Sequence, residues 1–327
     1  MTLQAPTTHL RSPRRRLRIL TWHVHGNYLY SLTRIPHDFV IPYKPGTVPG
    51  YSPLGPRIPW GSNITACPAE EIAGQDVDCV IYQSRQVYEE DRLTLLSPLQ
   101  RALPSIYLEH DPPQPHPTNT THGFRHERGV LVHVTHYNDL AWDAAGMPTR
   151  VIEHGVPVQA GLVHTGEQAR GITVINGLAQ RGRRMGADLF QWTREQVPLD
   201  LIGMQSEALG GLGELPNLEV ARRVASYRFF YTPIRYTSLG LALVEAMLIG
   251  VPVVGVAATE LPTVIVNGVN GFVHTDRRLL VDCMRQLLEE PALARQWGEA
   301  GRRTALERFG MPRFIDDWNR VLDEVTG

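Results

Sequence analysis

The sequence predicts an α/β protein of two doubly wound domains, each a parallel sheet with helices on both faces. Three observations carry that prediction. Short apolar runs rich in β-branched residues recur along the chain, too continuous for a sheet with one face in water. Helical stretches separate them, as crossovers between parallel strands require. The alternation pauses in a proline-bearing segment at 147–160 and restarts near residue 170, and 327 residues is the length of two ordinary domains.

In the first half, residues 18–22 (RILTW), 77–83 (VDCVIYQ), 105–109 (SIYLE) and 130–135 (VLVHVT) read as strands, and 86–103 reads as helix. In the second half, strands fall at 171–175, 199–203, 229–232 and 251–256, with helices at 187–196, 220–227 and 241–249. Residues 278–289, with Leu279, Leu280, Met284, Leu287 and Leu288 at helical spacing, and then 291–308 and 312–325, read as closing helices. The domain limits follow: 1–155, 156–310, and a final helix at 311–327 that returns to the first domain. The loop 112–117 (PPQPHP) cannot continue a strand or helix. It follows a strand end, which is where ligands bind in open α/β sheets.

Composition removes several function classes. With 32 basic and 33 acidic residues the net charge is -1, which argues against a general nucleic-acid binder. Three scattered cysteines are too few for a disulfide framework or a zinc cluster and read as reduced, buried thiols. The longest apolar stretch, 239–249, is interrupted by Glu245 and is too short to span a bilayer. The leader carries Arg14, Arg15, Arg16 and Arg18 with no apolar run after them, so it is not a secretory signal. The expected location is the cytoplasm. A weak contact of this arginine cluster with anionic lipid headgroups at the inner membrane face is the sharper alternative to a plain solvated leader.

The segment 231–255 (YTPIRYTSLGLALVEAMLIGVPVVG) carries the chemistry. It reads strand, loop, helix, strand, and the loop opens a helix whose first N–H groups and positive dipole end favour an anion such as a pyrophosphate. Gly240, lacking a Cβ, admits a ligand close to the backbone. Glu245 lies about a turn further on, where its carboxylate can accept hydrogen bonds from paired hydroxyls such as those of a ribose. The plain alternative is an exposed helix glutamate, disfavoured by its apolar neighbours Val244 and Ala246.

This segment resembles the signature of family 4 retaining glycosyltransferases of the GT-B fold, with Pro233, Gly240, Leu241, Glu245, Ala246, Met247, Gly250, Pro252, Val253 and Val254 at matching spacing. Glu260-Leu261-Pro262, the run from Asn267 to Phe272 and the stretch 302–309 extend the match over about the last 160 residues. The resemblance implies two Rossmann-like domains facing each other across a cleft. It also implies transfer of a sugar from a nucleoside-diphosphate sugar to a glycan or lipid-linked acceptor, with no required cofactor or metal. It places Glu245 on the nucleotide ribose, the N–H groups of Leu239, Gly240 and Leu241 on the pyrophosphate, and His110 and Asp111, at the end of the third strand, beside the sugar. Gly26 occupies the position of the family's glycine-bearing first loop. Two departures stand out. Thr237 replaces the first glutamate of the family's E-x7-E pair. Leu178 replaces the arginine expected after the first strand of the second domain, leaving Arg181, Arg183 and Arg184 as candidate phosphate cations.

Two other readings compete. Thr237 and Leu178 favour a degenerate GT-B nucleotide-binding or scaffold protein. The histidines of the first half, among them the pair His23 and His25, invite a metal-dependent hydrolase. No carboxylate-rich metal motif supports that second alternative.

Overall fold

The computed structural model describes residues 15–46, 48–56, 58–114 and 116–327. Seven strands form the first sheet: β1 (Arg18–Thr21), β2 (Asp38–Tyr43), β3 (Ile64–Pro68), β4 (Cys79–Tyr82), β5 (Ser105–Glu109), β6 (Gly129–His133) and β7 (Thr149–Val151). They lie in the order β3-β2-β1-β4-β5-β6-β7, and every pairing is parallel. The second sheet contains β8 (Gln168–Val174), β9 (Leu199–Ile202), β10 (Tyr227–Thr232), β11 (Val253–Val256) and β12 (Gly271–His274), ordered β12-β11-β10-β8-β9 and again wholly parallel.

Each sheet is apolar on both faces. In the first, Ile19, Ile81, Ile106 and Val132 enter one core while Leu20, Val80, Tyr107 and Leu131 enter the other. In the second, Ile172, Phe230 and Val253 are on one side, and Phe229, Tyr231 and Val254 on the other. This two-sided burial is why the strands read as unbroken apolar runs rather than alternating ones.

Four strands escape the sequence reading. β2 contains Pro42, but β1 pairs only with Asp38, Phe39 and Val40, so the missing N–H lies beyond that ladder. β3 is an edge strand with two exposed residues, β7 has three residues, and β12 follows a turn that hides it. The helix expected at 86–103 is broken. Ser97 caps a separate helix Pro98–Arg101 through a reciprocal bond pair with Gln100, and a residue before proline is pushed out of the helical region.

The linker after β7 is fastened by the last two helices. Pro291–Phe309 gives Ala305 and Phe309 to the core of the second domain. Met311–Thr326 crosses back, burying Phe314, Trp318, Val321, Leu322 and Val325 with Leu17, Ile19 and Val130 of the first.

Of the arginine cluster, Arg14 and the leader before it lie outside the described residues. Arg15 pairs with Asp78, Arg16 with Asp38 at 2.6 Å, and Arg18 with Gln75 at 2.8 Å. No helix among the described residues is long and apolar enough to cross a membrane. Cys67, Cys79 and Cys283 are free and buried.

Candidate active site

The carboxyl ends of the strands in both sheets open onto one cavity of ≈ 650 Å³. From the first domain it is lined by His25, Asn27 and Tyr28 after β1, by His110 and Asp111 after β5, and by His154 of the linker. The second domain supplies Asn176 and Arg181 after β8, Gly203 and Glu214 after β9, and Thr237–Ala242 with Glu245 after β10.

The helix Leu241–Ile249 starts at Gly240, which is extended at φ -71° and ψ 132° and gives no side-chain cap. The N–H groups of Gly240, Leu241 and Ala242 donate to no acceptor among the described residues, and a Cβ on Gly240 would meet nothing within 4 Å. The first turn therefore presents open N–H groups to the cavity, the arrangement that favours an anion. Glu245 lines the same cavity one turn on, and also an adjoining one of ≈ 260 Å³. Its carboxylate has no partner among the described residues, and burial pushes its pKa up to about 7.

The three candidate arginines part company. Arg181 lines the cavity, where partial burial lowers its pKa and the Asp111 carboxylate opposite acts against that. Arg183 and Arg184 are not brought to the cavity wall. Arg183 pairs with Asp188 at 2.6 Å, a carboxylate also gripped by both Nη atoms of Arg235 at 2.7 and 2.9 Å. The carbonyl of Arg184 accepts the N–H groups of Arg235 and Tyr236, which anchors the loop leading to Thr237. Gly186 makes this packing possible: its φ is +83°, and a Cβ there would stand 2.1 Å from the Pro233 carbonyl oxygen. Leu178 is fully buried in the second core, so the side chain at that position is structural.

His110 is set by a relay. Gln83 donates to Thr21 Oγ1 at 2.8 Å and to the Trp22 carbonyl at 3.0 Å, which leaves its Oε1 to accept from His110 Nε2 at 3.0 Å. Nε2 thus carries the proton. Burial holds His110 well below its ordinary pKa, and the neighbouring His25, with ring centroids 4.3 Å apart, adds to the effect. A charged His110 near a leaving phosphate is therefore disfavoured, and a neutral hydrogen-bonding imidazole is what the site holds. Asp111 donates its N–H to Glu109 and its backbone carbonyl accepts from Trp142 Nε1 at 2.9 Å, while its carboxylate has no hydrogen-bond partner among the described residues.

Gly26 opens a helix, Gly26–Leu32, where the sequence suggests a loop; its neighbours His25 and Asn27 line the cavity and Gly26 does not. His23 Nδ1 bonds the Ser52 carbonyl at 2.8 Å while the His25 ring lies tilted against His110, so the H-x-H pair is divided between different partners. Among the described residues, no group of three or more His, Cys, Asp or Glu is arranged to hold a metal ion.

His154 is invisible in the sequence. It is 4% exposed, and its Nε2 lies 2.7 Å from the Leu239 carbonyl oxygen. A proline-bearing linker gave no sign that this side chain would reach a loop 85 residues away.

Two Rossmann-like domains facing across a cleft define the GT-B fold. Residues 206–304, within the second domain, match the family described as "Glycosyl transferases group 1". N-acetyl-alpha-D-glucosaminyl L-malate synthase of Bacillus anthracis is 32% identical over 90 residues, which are 27% of this chain and only 24% of that protein. Sucrose-phosphate synthase from Thermosynechococcus elongatus has a similar structure, with a TM-score of 0.66 at 14% identity, over 95% of this chain and 98% of that one. Anabaena HepE, solved in complex with UDP, gives 0.65 at 15% identity over 94% and 100%.

Proposed function

We propose that this chain is a glycosyltransferase that binds a nucleoside-diphosphate sugar in the ≈ 650 Å³ cleft and transfers the sugar to a hydroxyl of a glycan or lipid-linked acceptor. The observation that carries this reading is the open first turn of Leu241–Ile249 with the unpartnered Glu245 one turn on, in one cavity. That pair suits a pyrophosphate at the N–H groups and a ribose diol at the carboxylate. The group 1 segment and the UDP-bound structural neighbour support it.

In this reading the donor lies on the second domain and the acceptor hydroxyl approaches from the side of His110 and Asp111. The bond from the anomeric carbon to the phosphate oxygen breaks, and a bond to the acceptor oxygen forms. The acceptor proton leaves with the departing diphosphate. The charge growing on that diphosphate faces the N–H groups of Gly240, Leu241 and Ala242 and the Arg181 guanidinium. Neutral His110 offers a hydrogen bond to a sugar hydroxyl. Calorimetry with UDP, GDP and ADP, followed by transfer assays with the corresponding sugars, tests the proposal. Binding of none of the three diphosphates would sink it.

Thr237 favours one rival. A hydroxyl lines the cleft where the family's first glutamate would bring a charge. Tight diphosphate binding with no turnover of any sugar donor, acceptors supplied, would make the chain a nucleotide-binding protein instead. Cytoplasmic placement, with a weak hold of the leader arginines on anionic lipid, belongs to the same proposal and is read by co-sedimentation with anionic vesicles.

A further inference from the structure

The linker that joins the domains also touches the loop before Gly240, through the His154 side chain. Its backbone is fixed at four successive residues. Glu153 pairs with Arg308. The carbonyls of Glu153 and His154 accept from Arg313 Nη2 at 2.9 and 2.6 Å. Gly155 packs so closely under Phe314 that a Cβ would stand 2.2 Å from its ring. Val156 donates to the Phe309 carbonyl at 3.1 Å. His154 therefore projects from a rigid mount clasped by the last two helices.

From that mount Nε2 reaches the Leu239 carbonyl at 2.7 Å. A carbonyl only accepts, so Nε2 carries the proton and the imidazole is the donor. Burial keeps the ring neutral, with its pKa pushed down to about 4. Among the described residues, the buried Nδ1 has no hydrogen-bond partner and the Leu239 oxygen takes no backbone N–H. The peptide that holds this carbonyl is the one that holds the Gly240 N–H, and in a planar trans peptide the two point in opposite directions. Fixing the carbonyl on His154 thus aims the Gly240 N–H the other way, away from the imidazole. A hydrogen bond at the carbonyl also polarises the N–H of the same unit.

We propose that His154 is a positioning residue of the donor site: it holds the Leu239 carbonyl and so presents the Gly240 N–H to the donor's diphosphate, which ties the grip on that group to the linker between the domains. This rests on the donor-site reading above. It assigns His154 no contact with substrate; its action passes through one peptide.

The test uses the full chain with UDP, GDP and ADP, taking the tightest of the three and its parent nucleoside. His154→Phe and His154→Leu remove the donor while filling the space, and His154→Gln restores an N–H of similar reach. Affinity for the diphosphate should fall about tenfold in the first two and stay within about threefold of the native chain in the third. Affinity for the nucleoside, measured by ligand-observed NMR, should change less than about twofold in all three. A merely structural role would weaken nucleoside and diphosphate alike and give no rescue by Gln; that outcome, or unchanged diphosphate binding in a folded Phe or Leu variant, overturns the inference. Melting temperatures identify which variants are folded, and the Gln variant carries the comparison if the apolar ones are not. A native chain that binds none of the diphosphates overturns the donor site itself, a separate failure visible before any variant is made.

Discussion

The Tyr236 hydroxyl donates to the Pro113 carbonyl oxygen at 3.0 Å, bridging the loop before Thr237 in the second domain and the proline-rich loop after β5 in the first. Each partner sits two or fewer residues from a cavity-lining one, Thr237 on one side and Asp111 on the other. The Pro113 carbonyl therefore holds the loop before Thr237 at the mouth of the cleft.

Tyr236→Phe removes that bridge and little else, since the ring keeps its edge contact with Tyr137. A neutral hydrogen bond of this kind contributes about 1 kcal/mol. Steady-state kinetics should show KM for the donor raised roughly fivefold, with the melting temperature nearly unchanged. A KM equal to that of the native chain would mean that the bridge does not hold the loop in solution.

Glu245 predicts a pH dependence with a definite sign. Its folded pKa of about 7 exceeds the ordinary value of 4.5, so between these values the native state binds more protons than the unfolded one. Its contribution to stability is whole below 4.5 and is lost as pH rises through 7. Glu245→Gln keeps the neutral form at every pH. Denaturant unfolding should show the stability of the Gln variant gaining on that of the native chain by up to about 3 kcal/mol as the medium goes from acid to mildly alkaline. Nucleotide binding should run the other way, strengthening as the carboxylate ionises, and Glu245→Ala should weaken it by about 1.5–3 kcal/mol. A flat stability difference, or unchanged affinity in the Ala variant, removes Glu245 from this role.

The arginines give a paired comparison. Arg181→Ala should cost diphosphate affinity about 1.5–3 kcal/mol and reduce its salt dependence. Arg183→Ala should leave affinity alone, and should change stability by less than about 1 kcal/mol because Asp188 keeps its two bonds to Arg235. Equal losses in both variants, measured by calorimetry at two salt concentrations, would contradict the assignment.

Glu260 holds the domains together from the other side. Its side chain, 1% exposed, accepts from Arg308 at 2.8 Å, from Thr263 Oγ1 at 2.6 Å and from the Tyr137 N–H of the first domain at 2.8 Å. Glu260→Ala leaves Arg308 with Glu153 but strands the Tyr137 N–H at the start of its helix. Unfolding by denaturant should show a loss of about 3 kcal/mol. A loss under about 1 kcal/mol would show that the cross-domain contact is solvated rather than buried.

The helix Leu241–Ile249 and the strand β5 stand at the residues where the sequence places them, because their apolar runs and flanking loops are local features. The helix Gly26–Leu32 stands where the sequence reads as a loop, since a glycine at its start and histidines before it mask a helical period of only seven residues. The open helix start lies where the sequence places it. Which of Arg181, Arg183 and Arg184 lines the cavity was not legible, because it turns on Asp188 and Arg235, which reach the cluster from other elements.

Composition and apolar patterning were enough to specify two parallel-sheet domains and the loop that opens onto the cleft, since strand type and loop chemistry depend on neighbouring residues. The protonation of Glu245, the neutrality of His110 and the bond from His154 to Leu239 were decided only in three dimensions. Each depends on burial and on partners contributed by distant parts of the chain, and desolvation exists only once those parts have packed.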